Sequence, residues 1–242
     1  MNLIPRVAPS PTAYPSMTDN DPPITARSGR SKRGIADTSK RWPDGVVNVA
    51  VDVKDAKSLL QIFEAIREWA QHTPALLFTI VEGRRGDIRI SDDKAIKGNW
   101  SYTGTDANNA PADEPTLHLE QTDDDEEFYQ SALHEFGHAL GLKHEHQHPE
   151  HDINWNKRAV YGNYEGTDFD REKVYDNFFK LPTGDELLVT NYDSKSVMHY
   201  FVHPDSTKDG RGVPTNYSLS EGDKNIIRRL YTPGRFKSAP AH

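Results

Sequence analysis

The sequence predicts an α+β protein whose N-terminal half follows the α/β order of strand, helix, strand. Runs at 46–53, 76–81 and 87–91 are rich in β-branched residues. Between the first two, Leu59, Leu60, Ile62, Phe63, Ile66 and Trp69 recur every three to four residues, the spacing of an amphipathic helix over 55–71. Past Gly141 neither period persists for long, so the C-terminal part reads as less regular. Strand, helix and strand in that order imply a right-handed parallel crossover.

Element by element, residues 1–41 read as a disordered tail or pro-segment. Residues 1–42 hold six of the sixteen prolines and no amphipathic period. Residues 1–6 lack the apolar run of roughly 7–15 residues that a secretory signal carries. Arg30-Ser31-Lys32-Arg33 is a basic cluster that a processing protease can cut. Order begins at Trp42-Pro43, and the folded domain is expected over 42–232, with an N-terminal lobe at 42–144 and a C-terminal lobe at 145–232. The stretch 92–115 is rich in Gly, Asn and Asp and reads as loop. Thr116, Leu117, His118, Leu119 and Glu120 alternate and read as a short edge strand.

A helix is expected over 123–140. Thr122 is placed to cap it, with Asp125 three residues on as in a capping box, and the acidic run 123–127 suits the positive end of the helix dipole. Shorter helices are expected over 155–163 and 171–179, and a last one over 221–231 with Ser220 as its cap. Residues 233–242 read as a tail.

Composition excludes several functions. The 242 residues contain no cysteine, so disulfides, thiolate metal sites and cysteine nucleophiles are out. No stretch approaches the roughly 18–20 apolar residues of a membrane span. The net charge is −8, and residues 1–42 carry seven basic groups against three acidic ones, which leaves −12 on the rest. An acidic body repels phosphates, so nucleic acid is not expected as a partner.

The chemistry is concentrated in His134-Glu135-Phe136-Gly137-His138-Ala139-Leu140-Gly141-Leu142-Lys143-His144. Two histidines four apart on a helix project from one face, one turn apart. Gly141 can take the left-handed conformation that ends a helix, turning the chain so that His144 returns as a third nitrogen ligand. Three neutral imidazoles with a fourth position open to water describe a catalytic zinc site. Glu135, adjacent to the first ligand, can take a proton from water without binding the metal.

The pattern H-E-x-x-H-x-x-G-x-x-H resembles that of the metzincin zinc endopeptidases, and Glu145 after the third histidine resembles the astacin branch. The astacin signature continues H-E-x-x-R-x-D-R-D. This chain reads His144-Glu145-His146-Gln147-His148-Pro149-Glu150-His151-Asp152, with histidine at both arginine positions. Ser196-Val197-Met198-His199-Tyr200 is similar to the astacin Met-turn. Trp42-Pro43-Asp44-Gly45 and the stretch from Leu219-Ser220 to Leu230-Tyr231 are similar to the start and close of that domain. Astacins usually carry two disulfides; this chain looks like a divergent, Cys-free member.

The resemblance implies a twisted, mostly parallel sheet with two long helices over a less regular lower lobe, and one zinc ion in the cleft between. It implies Met198 as a hydrophobic base beneath the metal and Tyr200 as a movable fifth ligand that also holds the oxyanion. The edge strand over Thr116, Leu117, His118 and Leu119 would bind substrate by strand addition. Protein or peptide substrates, a monomer and secretion follow from the same likeness. So does a new N-terminus at Gly34, formed by a cut after Arg33 and buried near Glu145. His146, His148 and His151 are expected to face solvent or support the site from behind, and to titrate near neutral pH. Residues 190–195 and the stretch after Tyr200 are expected to shape specificity. A zinc-containing binding module without turnover, or a zinc amidohydrolase acting on small molecules, shares the triad and stays open on the residues alone.

Overall fold

The computed structural model describes residues 2–3, 34–167 and 169–234. The basic cluster before Gly34, most of the proline-rich tail and residues 235–242 lie outside them. In chain order the strands and helices are β1 (Asn2–Leu3), β2 (Ile35–Asp37), β3 (Gly45–Asp52), α1 (Ala56–Ala70), β4 (Leu76–Val81), β5 (Ile88–Ser91), β6 (Trp100–Ser101), β7 (Leu117–His118), α2 (Asp125–Ala139), α3 (Lys157–Asn163), α4 (Arg171–Phe178), β8 (Leu187–Val189) and α5 (Glu221–Leu230). Among the described residues no helix is long and apolar enough to cross a membrane.

The crossover forms as its apolar periods dictate. β3 pairs parallel with β4 on one side and with β5 on the other, and α1 links β3 to β4. Ile62, Ala65, Ile66 and Trp69 on one face of α1 are buried. The Trp69 indole N–H donates to the Leu133 carbonyl of α2 at 3.0 Å, which fastens the two long helices together. Phe78 of β4 meets Phe136 of α2 edge-to-face, with ring centroids 5.5 Å apart. The last carbonyls of α2 lack intrahelical partners. The Trp42 indole N–H (2.8 Å to Ala139) and the Tyr231 hydroxyl (2.9 Å to Leu140) supply donors to two of them. Residues near the two ends of the chain's folded part thus meet at the end of its central helix.

A second core fills the C-terminal lobe. Trp155, Val160, Val174, Phe178, Phe179, Tyr200 and Val202 cluster there under α3 and α4. Ser220 caps α5 as its sequence predicts, in a capping box with Asp223.

Several expectations need correction. The six-stranded sheet runs β1-β6-β7-β5-β3-β4, so Leu117–His118 is not an edge. β7 pairs parallel with β5 and antiparallel with β6. Its alternation misled because a polar residue can be satisfied in the interior. His118 is buried with its two ring nitrogens against the carbonyls of Gly98 (2.7 Å) and Asp93 (3.1 Å). Within 34–234 the outermost strand on this side is β6, inside the stretch read as loop, and its outer edge pairs antiparallel with Asn2–Leu3.

Residues 34–41 belong to the folded domain rather than to a tail. β2 pairs antiparallel with β8 across about 150 residues of chain, a pairing that no local period encodes. The cap of α2 is Asp124, whose carboxylate accepts from Glu126 and Glu127 N–H, rather than Thr122.

Candidate active site

The site is built outward from α2. One face of this helix packs Leu133 and Phe136 into the main core, which leaves His134, Glu135 and His138 toward the lower lobe. The helix stops at Gly141, whose φ of +95° is one that only glycine adopts without strain. The turn is then clamped from outside. Asp37 N–H donates to the Gly141 carbonyl at 2.9 Å, and Lys143 N–H to Ile35 at 3.0 Å. β2 therefore fixes the segment that carries His144 back.

His134, His138 and His144 converge, with one ligand nitrogen from each lying within 4.8 Å of the others. Nδ1–H of His134 donates to the Val197 carbonyl and Nδ1–H of His138 to Leu142, each at 2.8 Å. These bonds set the tautomer that leaves Nε2 as a lone pair facing inward. His134 Nε2 is buried without a partner. Nε2 of His138 and Nε2 of His144 stand 2.9 Å apart. Burial pushes the His134 imidazole down to about 4 and holds the other two well below the usual histidine range. Neutral imidazoles with lone pairs turned toward one point are a donor set that fits a zinc ion.

Glu135 is fully buried and neither of its carboxylate oxygens has a hydrogen-bond partner. Burial raises its pKa well above the usual carboxylate value; a cation at the triad acts in the opposite direction. Tyr200 lies beside the triad, its ring centroid 4.2 Å from His144 and 5.9 Å from His134. The Tyr200 hydroxyl is likewise buried and unpartnered. Burial raises the phenol's pKa first, and the nearby Glu135 charge raises it further.

Met198 lies under the helix turn that joins His134 to His138. A Cβ at position 137 would collide with the Met198 sulfur, so Gly137 is what lets the methionine in. The Met198 carbonyl accepts from Glu145 N–H at 3.0 Å. Glu145 Oε1 accepts from Asp193 N–H at 2.7 Å, whereas Oε2 is buried without a partner. Desolvation pushes this carboxyl up to about 9.

Of the two roles expected for the extra histidines, facing solvent or supporting the site from behind, the first fails for two of them. His146 and His148 are fully buried rather than solvent-facing. Nε2–H of His146 donates to Asn177 (2.7 Å) and Nε2–H of His148 to Thr190 (2.5 Å). His151 is half-buried and accepts from Ile153 N–H. Desolvation lowers the pKa of all three, which favours their neutral form. Thr190 and Asp193 are also buried, as braces for Gly34, His148 and Glu145.

Two participants escaped the sequence reading. Asp223 accepts from Ser196 Oγ–H and from the N–H groups of Val197 and Ser220, which ties the cap of α5 to the residue that holds His134. The Ser220–Asp223 spacing was the signal available for it. β6 is the second. Asn99, just before it, donates to Ser131 Oγ at 3.0 Å, three residues ahead of His134. Nothing in its two-residue length announces a strand.

Comparison with known proteins gives one family. The family model for astacin, a peptidase family, matches residues 34–231, a span that begins at the buried Gly34. Bone morphogenetic protein 1 of Xenopus laevis is 28% identical over 193 residues, covering 77% of this chain and 24% of that protein. Human tolloid-like protein 2 is 27% identical over 222 residues, covering 84% of this chain and 20% of its own length. The chain thus spans about a quarter or less of these curated relatives. Among solved structures, myroilysin superposes with a TM-score of 0.75 at 32% identity, over 84% of this chain and 100% of that one. The hatching enzyme HCE-1 of the medaka fish Oryzias latipes shares the fold at a TM-score of 0.58 and 20% identity, over 81% and 96%.

Proposed function

The chain belongs to the astacin family of peptidases, and on that premise we propose that it is a zinc-dependent endopeptidase that hydrolyses internal peptide bonds of proteins. The decisive group is Glu135. A fully buried carboxylate with no partner is costly to keep; beside three neutral imidazoles, it has a use only as a proton acceptor at the metal. A binding module has no need of it.

His134, His138 and His144 would hold a zinc ion, which would supply a Lewis acid to polarise a carbonyl and lower the pKa of water. Glu135 takes the proton of the attacking water and delivers it to the leaving amine. The Tyr200 hydroxyl donates to the oxygen on which charge develops. Buried Met198 floors the site and, with Gly137, sets how closely the lower lobe approaches α2.

An extended substrate lies along β6. Its outer edge already accepts Asn2–Leu3 in antiparallel register, Leu3 opposite Trp100 and Asn2 opposite Ser101. Strand addition of this kind takes affinity from the main chain and suits cleavage within a polypeptide. Secretion, and action as a monomer, belong to the same proposal and rest on family membership.

Glu135→Gln and His138→Ala test the function. Glu135→Gln retains stoichiometric zinc and loses nearly all cleavage of an unfolded protein substrate. His138→Ala loses metal and activity together, since two imidazoles hold zinc poorly. Turnover by Glu135→Gln within tenfold of the unmodified protein removes Glu135 from the chemistry. Cleavage of small amides without cleavage of polypeptides replaces the endopeptidase by an amidohydrolase.

A further inference from the structure

We propose that His146 is a positioning residue for Tyr200, setting where the tyrosine hydroxyl stands relative to Glu135 and the three histidines. This deepens the endopeptidase reading and rests on it. The two rings are stacked, with centroids 4.3 Å apart and planes 19° from parallel. Phe178 meets the tyrosine edge-on at 5.9 Å and 63°. The tip of Tyr200 has no hydrogen bond, so ring packing alone holds it. A flat stacked neighbour blocks movement out of the plane and leaves sliding within it nearly free. A group that must shift toward a developing oxyanion needs that combination.

His146 can serve as such a plate because it is itself fixed. It is fully buried, and its Nε2–H donates to the Asn177 carbonyl at the end of α4, where helix carbonyls lack intrahelical donors. Gln147 beside it donates to the carbonyls of Asp176 (2.7 Å) and Lys180 (2.9 Å). The segment after the third ligand is thereby bolted to α4, the helix that also presents Phe178. His146 and Phe178, two of the four rings around Tyr200, are therefore held by one element, while His134 and His144 of the triad supply the other two.

The test is a double-mutant cycle with a second readout in metal-free protein. His146→Ala is expected to lower kcat about 10- to 100-fold, the upper end being the cost of misplacing a catalytic group by about 1 Å, with KM nearly unchanged and zinc stoichiometric. In a Tyr200→Phe background the same change is expected to cost less than about twofold, because residues that act through one another are not additive. In metal-free protein the two sides of the Tyr200 ring, assigned by their loss in Tyr200→Phe, are expected to give separate nuclear magnetic resonance signals that average in His146→Ala. His146→Phe keeps a flat ring and is expected to restore kcat to within about fivefold of the unmodified protein; it also serves if the alanine variant does not fold. Additive losses, unchanged ring signals in the alanine variant, or a phenylalanine variant as slow as the alanine one would overturn the proposal. An unmodified protein that cleaves no polypeptide sinks the function instead, and the ring signals still decide the role of His146.

Discussion

His134 and Val197, 63 residues apart, are joined by a hydrogen bond from the imidazole Nδ1–H to the peptide carbonyl at 2.8 Å. The N–H of that same Val197 donates to Asp223 Oδ2 at 2.9 Å. One residue therefore relays the position of the α5 cap to a metal ligand. The arrangement requires a buried carboxyl, which makes it sensitive to pH.

Burial pushes Asp223 up to about 6 from an ordinary value of 3.8, against the pull of its hydrogen bonds. A raised folded pKa means that the folded state binds the proton more tightly. Its contribution to stability is full below pH 3.8 and is lost as pH rises through about 6. Two pH units correspond to about 3 kcal/mol. Asp223→Asn lacks this titration. The stability of the unmodified protein minus that of Asp223→Asn, from urea unfolding, is expected to fall by about 3 kcal/mol between about pH 3.5 and 7. A difference that stays flat assigns Asp223 an ordinary pKa.

Gly137→Ala sets two effects against each other. Alanine favours the helix by about 1 kcal/mol, whereas forcing a methyl into the Met198 sulfur and to 3.1 Å from the Trp69 ring costs about 1–3 kcal/mol. The expected result is a net loss of about 1 kcal/mol in thermal unfolding and weaker zinc retention against a chelator. Met198→Ala should relieve the second effect. Increased stability would show that Met198 is free to move aside.

Tyr200→Phe keeps the ring, its stacking on His146 and the core of the lower lobe. If the hydroxyl acts only on the developing oxyanion, its loss lowers kcat and kcat/KM together. Removing one such donor typically costs about 10²–10³ in kcat, or about 2.7–4 kcal/mol. Steady-state kinetics with a peptide substrate checks this, with zinc content as the control. A raised KM at normal kcat makes Tyr200 part of a substrate pocket.

A chain beginning at Gly34 is expected to be more active than residues 1–242. Gly34 is buried, donates its N–H to Asn191 and accepts from Thr190; Asp193, two and three residues further on, donates its N–H to Glu145. The unpartnered Glu145 oxygen, with a carboxyl pushed up to about 9, is a site that a terminal ammonium would compensate. Removing residues 1–33 also removes the segment paired on β6. Measured kcat/KM for the two chains decides it, and equal values leave Glu145 a structural role only. Glu145→Gln should erase that part of the gain which depends on the ammonium.

The features legible in the sequence are those that local geometry determines. The spacing of His134, His138 and His144 follows from helix pitch and one glycine turn, and Glu135 follows from adjacency. The apolar faces of α1 and the parallel strands follow from the helical and strand periods. The cap at Ser220 follows from the chemistry of orphaned N–H groups. Met198 and Tyr200 were legible only through likeness to a family, since nothing local connects them to α2.

Tertiary structure decided what depends on partners far along the chain. A strand's place in a sheet is set by which backbone edges remain unpaired. The same short alternating pattern therefore put β7 inside the sheet, while two residues of apparent loop became the strand beyond it, on which Asn2–Leu3 pairs. β2 exists because β8 lies beside it, and in pairing there it clamps the turn that returns His144. His146 and His148 are polar by composition and buried by circumstance, because helix α4 and the strand end at Thr190 present carbonyls that accept hydrogen bonds from their ring N–H groups. Burial is a property of the assembled core, so the lowered pKa of these rings and the raised carboxyls of Glu145 and Asp223 came only with the fold.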